Sequence, residues 1–175
     1  PIGLDGDAVG NIDSAHRYGI DIDATLKGEP WGWSGTELNL ELDLRKSSVT
    51  DPVEGFSRRL NNDKISYWSA EFRHDVPNTK WAYGLFLDQY TDSDSYRLST
   101  INDFTFDGPW SQIYLEHKDI FGLKIRGTLK NLLGASDDFR REIFTDRRDI
   151  GVLDYTEDRT RSFGTFFQLN VSGTF

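Results

Sequence analysis

The stretch SFGTFFQLNVSGTF, residues 162–175, decides the fold class. Apart from Phe166, its apolar residues share one set of alternate positions, and the positions between them hold polar residues or glycine. Successive side chains of an extended strand point to opposite faces of a sheet, so this alternation predicts an amphipathic β-strand. A helix would spread the same apolar residues over all of its sides, so helix is a poor interpretation.

The same alternation recurs upstream, for example in ELNLELDLR at 37–45, where leucines alternate with polar or charged residues. The pattern predicts an all-β, antiparallel protein. The predicted strands cover residues 15–27, 36–48, 65–76, 80–91, 111–118, 122–132 and 162–175. Residues 95–106 also look extended, either as a separate strand or as an outward continuation of a neighbouring strand.

The connections between the predicted strands alternate in length. Residues 28–35, 77–80 and 119–122 are tight and contain glycine, proline or asparagine, which tolerate or preset turn dihedrals. Residues 49–64, 92–110 and 133–161 are long, when 95–106 is counted within the second of them. Antiparallel strands joined in this order place all the tight turns at one end of the sheet and all the long loops at the other.

The composition excludes several classes of site and partner. The chain of 175 residues contains no Cys, so it has neither a disulfide framework nor a thiolate site. Its net charge is −9, from 29 acidic and 20 basic residues, which disfavours nucleic acid as a partner. No apolar run approaches the roughly 18 residues that a membrane helix needs. The start at Pro1, without an apolar leader, predicts a piece of a longer or processed protein.

The alternation leaves open which way the apolar face points. In a soluble β-sandwich or small barrel it is the core, and in a membrane barrel it faces lipid while the polar face lines the lumen. An odd count of about seven strands does not close into a bacterial barrel, which has an even number. Trp31, Trp33, Trp81 and Trp110 fall at strand ends or turns, where an interfacial aromatic belt would place them. These features favour an antiparallel transmembrane β-barrel segment.

Five segments, taken in order, resemble the end of the TonB-dependent outer-membrane receptors. Together they cover nearly the whole chain, from about residue 11 to residue 175, and the set is more specific than any single piece. The segments are NIDSAHRYGIDIDATL (11–26), SSVTDPVEGFSRRL (47–60), AEFRHDVPNTKWAYGL (70–85), YLEHKDIFGLKIRGTLKNLLG (114–134) and FQLNVSGTF (167–175).

The resemblance implies that residues 1–175 form the C-terminal part of the receptor barrel, about seven to eight strands of a 22-stranded barrel. It implies energy-coupled uptake of a siderophore, carbohydrate or similar nutrient across the outer membrane of a Gram-negative bacterium. The implied partners are outer-membrane lipid, the rest of the barrel and its plug, the small-molecule ligand, and TonB. The plug domain and TonB box are absent from this chain. Leu169, Val171 and Phe175 match the C-terminal signal for barrel insertion.

The sequence contains no catalytic constellation, so we expect no enzyme activity and no cofactor. His16, His74 and His117 are widely spaced and share no metal-binding motif. For ligand contact the candidates combine stacking surface with charge in the long loops. They are Phe56, Arg58, Arg59, Tyr96 and Arg97. The alternative functions are a soluble β-sandwich or barrel that acts as a binding module, and a passive outer-membrane porin.

Overall fold

The computed structural model describes residues 2–3, 6–7 and 14–173. These residues form antiparallel β-sheets joined by turns, with one short 3-10 turn at Glu29–Trp31. The strands are β1 (Ile2–Gly3), β2 (Gly6–Asp7), β3 (Ala15–Lys27), β4 (Thr36–Thr50), β5 (Ser57–Arg58), β6 (Lys64–Asp75), β7 (Trp81–Asp92), β8 (Ser95–Tyr96), β9 (Thr100–Asp107), β10 (Trp110–Ile120), β11 (Leu123–Lys130), β12 (Ser136–Phe144), β13 (Leu153–Ser162) and β14 (Phe166–Ser172).

Seven long strands form the main sheet, in the order β14-β11-β10-β7-β6-β4-β3, and the short β5 pairs with the end of β4. Each long strand pairs with the next long strand along the chain, so the sheet is an antiparallel meander. The all-β prediction and the positions of the seven predicted strands are confirmed. The last strand is shorter than predicted, because β14 begins at Phe166 and ends at Ser172.

A second sheet has the order β13-β12-β9-β8. Its strands lead directly into or out of β14, β11, β10 and β7, which stand in the same order in the main sheet. The second sheet therefore continues four strands of the main sheet beyond a short interruption. Residues 95–106 divide between β8 and β9, and β9 is the outward continuation of β10.

The prediction that residues 133–161 form a loop is wrong, because they contain the hairpin of β12 and β13. The prediction relied on apolar alternation, and here the alternation is among charged residues. Arg140 lies opposite both Asp103 and Asp158, so cross-strand charge pairs take the place of apolar pairs.

Asn131 stabilises the interruption between the two sheets. This side chain is fully buried and has a left-handed backbone, with φ of 55°. Its Nδ2 donates to the carbonyl oxygens of Ala135 at 3.0 Å and Gly164 at 3.3 Å, and its Oδ1 accepts from the Ala135 amide at 2.7 Å. Its own amide donates to Ser111 O at 2.6 Å. One residue thus joins β10 to the segments that lead into β12 and β14, and it supplies hydrogen bonds where the regular ladder stops.

The short turns lie at one end of the main sheet. The tightest joins β10 to β11 through Phe121 and Gly122, both with positive φ, which matches the twist of the strands it connects. At the other end β4–β6, β7–β10 and β11–β14 are joined by the long connections, two of which build the second sheet. The predicted alternation of short and long connections is confirmed.

The two faces of the main sheet differ in chemistry. One face is apolar over the whole width of the sheet, from Ile20 on β3, 62% exposed, to Phe167 on β14, also 62% exposed, and β6 is the one long strand whose apolar residues there are all half-buried. The opposite face carries the charged alternates, such as Asp43 on β4 and Glu116 on β10. Only four hydrophobic residues are buried in the described part of the chain: Val49, Ala82, Tyr114 and Ala135.

The main sheet is open, because β3 and β14 form its two edges and do not pair with each other in the described residues. The chain exposes 11457 Å² of surface. A compact globular protein of 20.1 kDa would expose about 8,700 Å². The described residues therefore form an open sheet rather than a layered domain with its own hydrophobic core.

Small residues on β7 let charged groups two strands apart meet on the polar face. Ala82 and Gly84 lie between β6 and β10 in the register, so Arg73 Nη2 reaches Glu116 Oε1 at 3.1 Å. The Glu116 side chain is 1% exposed and also accepts from Arg126 and Lys124, at 2.5 and 3.1 Å. The carboxylate is thus compensated by three cations, as a buried charge requires.

We expect Gly84→Ala to lower the free energy of unfolding by about 1–3 kcal/mol, because overpacking displaces well-packed neighbours. A Cβ at Gly84 would collide with the carbonyl oxygen of Phe72 and with the Tyr114 ring. Gly127→Ala is the matched control, since its Cβ would meet only the far end of the exposed Phe167 side chain. Urea unfolding of the full-length protein, followed by Trp fluorescence, measures both variants. Equal effects would show that the tight approach over Gly84 is unimportant.

Candidate ligand-binding site at the long loops

The three long connections meet at an ion pair between Asp51 and Arg148. Asp51 belongs to the connection after β4, and Arg148 belongs to the connection between β12 and β13. Arg148 Nη2 lies 3.0 and 2.9 Å from the two oxygens of the Asp51 carboxylate. The side chains are 1% and 0% exposed. The pair therefore joins loops that are almost one hundred residues apart in the sequence.

Asp51 is held by the turn that it begins. In the sequence DPVEG at 51–55, its Oδ1 accepts from the amides of Val53 at 2.9 Å and Glu54 at 3.0 Å. This is an Asx turn, which Asp favours because its short side chain can bind the backbone two residues on. Its Oδ2 accepts from Arg58 Nε at 2.6 Å. Together with Arg148 Nη2, which contacts both oxygens, these donors give each oxygen of the buried carboxylate more than one hydrogen bond.

These donors determine the pKa of Asp51. Burial alone disfavours the charged form and acts to raise the pKa. The hydrogen bonds from Arg58, from the turn backbone and from Arg148 outweigh burial and lower the pKa from its ordinary 3.8 to about 2. The carboxylate is consequently charged over the physiological pH range.

Arg148 also brings in the third long connection. Its Nε donates to the carbonyl oxygen of Arg97 at 2.7 Å, and its backbone amide donates to that of Leu98 at 3.0 Å. Its Nη1 forms a further ion pair with Glu54. Arg148 therefore joins its own connection to the other two, and the planar fork of its guanidinium binds both oxygens of Asp51 at once.

Tyr96 lies against this ion-pair network. The guanidinium carbons of Arg58 and Arg148 lie 4.8 and 5.2 Å from its ring centroid, and Phe56 meets the ring edge-on at 5.8 Å. Burial raises the pKa of the Tyr96 phenol, and the nearby Asp94 carboxylate adds to that shift. The phenol is therefore neutral at ordinary pH.

The structure brings together three of the five predicted ligand-contact residues: Phe56, Arg58 and Tyr96. Arg59 points elsewhere and donates to the carbonyl oxygen of Arg45 at 3.0 Å. Arg97 is exposed and takes part through its backbone carbonyl. The Arg58 guanidinium is already bound by Asp51 and Asn61, at 2.6 and 2.7 Å, so it organises the loops. Ligand contact by these five residues stays a prediction.

The sequence reasoning missed the residues that join the loops, Asp51, Arg148 and Asn61. The DPVEG turn was the available signal for Asp51, because Asp before Pro favours an Asx turn. Asn61 pairs with the backbone of Tyr96 through both its Nδ2 and its Oδ1, at 2.9 and 3.0 Å. Nothing in the sequence separates Arg148 from its neighbour Arg147, since only the fold shows which of the two is buried.

The predicted insertion signal lies partly within the described residues. Leu169 and Val171 are 58% and 54% exposed on the apolar face of β14. Phe175 lies outside the described residues. The widely spaced histidines have separate surroundings: His74 Nδ1 lies 2.9 Å from Tyr83 Oη, and His117 packs edge-on against Trp81. In the described part of the chain, no group of three or more His, Asp or Glu side chains is placed to hold a metal ion.

Comparisons of the chain with protein-family models, with curated proteins and with solved structures gave no match. Among residues 14–173, no helix is long and apolar enough to cross a membrane.

We expect Arg148→Ala to lower the free energy of unfolding by about 2–3 kcal/mol, because it removes two charge-assisted hydrogen bonds from the buried Asp51 carboxylate, which then keeps only Arg58 as a cationic partner. Arg147→Ala is the matched control. Arg147 pairs with Asp149 at 2.8 Å on an exposed surface, and we expect its loss to cost under about 1 kcal/mol. Urea unfolding and limited proteolysis of the long loops measure both effects. If the two variants behaved alike, the buried pair would not be what joins the loops.

The pKa of Asp51 predicts how this stabilisation depends on pH. A carboxyl with a folded-state pKa of about 2 stabilises the folded state above the unfolded value of 3.8 and loses that effect as the pH falls towards 2. The shift corresponds to about 2 kcal/mol. The difference in unfolding free energy between the wild type and Asp51→Asn should therefore shrink by that amount between pH 5 and pH 2. A difference that does not change with pH would contradict the assignment.

Proposed function

We propose that the chain forms part of the transmembrane β-barrel of an outer-membrane receptor of the TonB-dependent type. Such a receptor takes up a siderophore, a carbohydrate or a similar nutrient with energy supplied through TonB. The observation that carries this proposal is a continuous apolar face, with large hydrophobic residues exposed on six of the seven long strands and half-buried on β6, opposite a charged face. Water is an unfavourable solvent for such a surface, whereas hydrocarbon is a favourable one.

The height of the apolar face suits a bilayer. On β3 the alternating apolar residues run from Tyr18 to Leu26, which is nine residues counting both ends. A membrane β-strand needs about 9–11 residues when it is tilted. Nine residues extend for about 27 Å along the strand. The apolar run on β3 therefore has the residue count of a short membrane β-strand.

The chemistry changes where the main sheet ends. Above the interruption, the face of the second sheet that bears Asp138 and Arg140 holds Asp103, Asp107, Glu142 and Asp158 as well. Its charged residues are five acidic and one basic. Charged groups avoid hydrocarbon, so an acidic surface on the second sheet is consistent with a barrel whose strands extend beyond the membrane at this end.

The aromatic residues at the short-turn end support the same placement. Trp31 and Trp33 are 69% and 68% exposed in the first short turn, and Trp81 is 44% exposed at the start of β7. Amphipathic rings at one end of an apolar band are typical of a membrane interface. Trp110 differs, because it lies at the opposite end and packs against Phe163 and Phe166.

The alternatives fit the same observations less well. A soluble β-sandwich buries the apolar face of one sheet against another sheet. Here the second sheet extends the first end to end, and Leu40 and Phe167 are 39% and 62% exposed. A passive porin has the same kind of β-barrel, so it differs from the proposed receptor only in lacking a plug and energy coupling.

In this proposal the two open edges, β3 and β14, pair with the remaining strands of the barrel, which leaves no unpaired backbone in the membrane. The charged face lines the lumen and contacts the plug. The ligand binds at the outer loops, and TonB then remodels the plug to open a path. The receptor forms and breaks no covalent bond.

Spin labelling tests the membrane placement, because residues 1–175 contain no Cys that would compete for the label. Labels at Leu40→Cys and Ile125→Cys should be accessible to oxygen dissolved in lipid when the full-length protein is in vesicles. Labels at the adjacent Glu41→Cys and Arg126→Cys should instead be accessible to a water-soluble nickel chelate. The expected pattern alternates along β4 and β11. A monodisperse full-length protein in detergent-free buffer, with all four labels reached only by the nickel chelate, would overturn the proposal.

Binding to the purified C-terminal domain of TonB separates the receptor from the porin. The full-length protein should retain that domain on a column, and deletion of the N-terminal TonB box should abolish retention. A protein that shows the alternating labels but never retains the TonB domain would be a passive barrel.

A further inference from the structure

The second sheet carries aromatic and arginine side chains on the face opposite to Asp138 and Arg140. It is formed by Phe104 and Phe106 on β9, Phe139 and Arg141 on β12, and Arg159 and Arg161 on β13. In the register Phe139 lies directly between Phe104 and Arg159. We call this set the aromatic–arginine face. It lies opposite the acidic face of the same strands.

The aromatic–arginine face continues onto the polar face of the main sheet. The ring of Tyr90, near the end of β7, lies 5.0 Å from that of Phe106 and 6.5 Å from that of Phe104, with both interplanar angles at 11°. Tyr67 lies opposite Tyr90 on β6. The near-parallel rings of Phe104, Phe106 and Tyr90 therefore extend from the second sheet onto the polar face of the main sheet.

The arginines lie beside the rings with free hydrogen-bonding capacity. The guanidinium carbons of Arg159 and Arg141 lie 4.4 and 5.1 Å from the Phe139 ring centroid. Arg159 uses its Nε for Glu157, at 3.1 Å, and its side chain is 59% exposed. A stacked guanidinium keeps its fork of donors in one plane, so it can bind two oxygens at once.

The charges of this face nearly cancel. Asp137 pairs with Arg161, and Glu157 pairs with Arg141 and Arg159. Three arginines against two carboxylates leave a net charge of about +1 on the aromatic–arginine face. A strongly anionic ligand such as a ferric chelate would meet both carboxylates. A neutral ligand with many hydroxyl groups could instead use the arginines as donors and the carboxylates as acceptors.

Between these groups lies an open groove of about 490 Å³, lined by Phe104, Asp137, Phe139, Arg159, Thr160 and Arg161. Small-molecule sites in proteins are of this size. Ring faces can pack against the C–H faces of a sugar, because an aromatic face is electron-rich and such C–H groups are weakly positive. Sugar rings thus complement the groove in shape and in polarity.

We propose that the aromatic–arginine face is a binding site for a neutral oligosaccharide, with Phe104 and Phe139 as stacking residues and Arg159 and Asp137 as hydrogen-bonding residues. This inference rests on the proposed function, because it names the nutrient class that the barrel would admit. Successive sugar units would lie along Phe104, Phe106 and Tyr90 as the ligand moves towards the lumen.

The test measures binding of the full-length protein, in detergent micelles, to a panel of neutral hexasaccharides of glucose, xylose, mannose and galactose by isothermal titration calorimetry. At least one should bind, and Phe104→Ala and Arg159→Gln should each raise its Kd about tenfold. The controls are Phe121→Ala, a fully exposed ring at the opposite end of the sheet, and Arg140→Gln on the acidic face. Arg140 pairs with Glu142 at 3.1 Å, as Arg159 does with Glu157, so the two substitutions remove similar ion pairs.

Two outcomes would overturn the inference. One is that no hexasaccharide binds, and the other is that ferric citrate binds with an affinity that depends on Arg159. The labels at positions 40, 41, 125 and 126 can alternate in either case, so these outcomes leave the membrane placement standing. If the controls weakened binding as much as Phe104→Ala and Arg159→Gln, the groove would not be the site.

Discussion

The structure depends on one constraint, which is that alternate side chains of seven adjacent strands must meet two different environments. Leu40 and Glu41 are neighbours in the chain, yet the register places Leu40 with Ala70 on one face and Glu41 with Ser69 on the other. A shift of one residue in any strand would exchange the faces, so the ladder tolerates no slippage. The register of the sheet is therefore stabilised by the difference between the environment of the apolar face and that of the charged face.

The interruption between the sheets shows how a wall can change environment without losing backbone hydrogen bonds. The ladder stops at Pro109, which has no amide hydrogen to donate, and at Gly164, whose φ is 65°. The Asn131 side chain binds the carbonyl oxygens of Ala135 and Gly164 at this level. Beyond this level one face of the strands is acidic, and the opposite face is the aromatic–arginine face, which joins the polar face of the main sheet at Tyr90. In the proposed barrel, this break would mark the level at which the strands leave the hydrocarbon layer.

The sequence was sufficient for the main sheet and insufficient for the loops, for a physical reason. Apolar alternation identified β3 to its last residue, because an amphipathic strand leaves a period of two in the sequence. The hairpin of β12 and β13 leaves no such trace, since both of its faces carry charge and its register is fixed by pairs such as Arg141 with Glu157. The Asp51–Arg148 pair joins residues 97 positions apart, which no local pattern can reveal.

The buried network around Asp51 and Arg148 fixes the long loops before a ligand binds, although the loops lie at a hydrated surface. Long loops ordinarily lose conformational entropy when they bind, and that loss weakens affinity. Here Arg148 and Asn61 hold the connections against one another, and the β12–β13 hairpin stands on a continued sheet. The aromatic–arginine face is therefore presented on regular strands whose positions are set before any ligand arrives. Such preorganisation favours selection by shape and hydrogen-bond geometry, and it suits a ligand that has little charge to contribute.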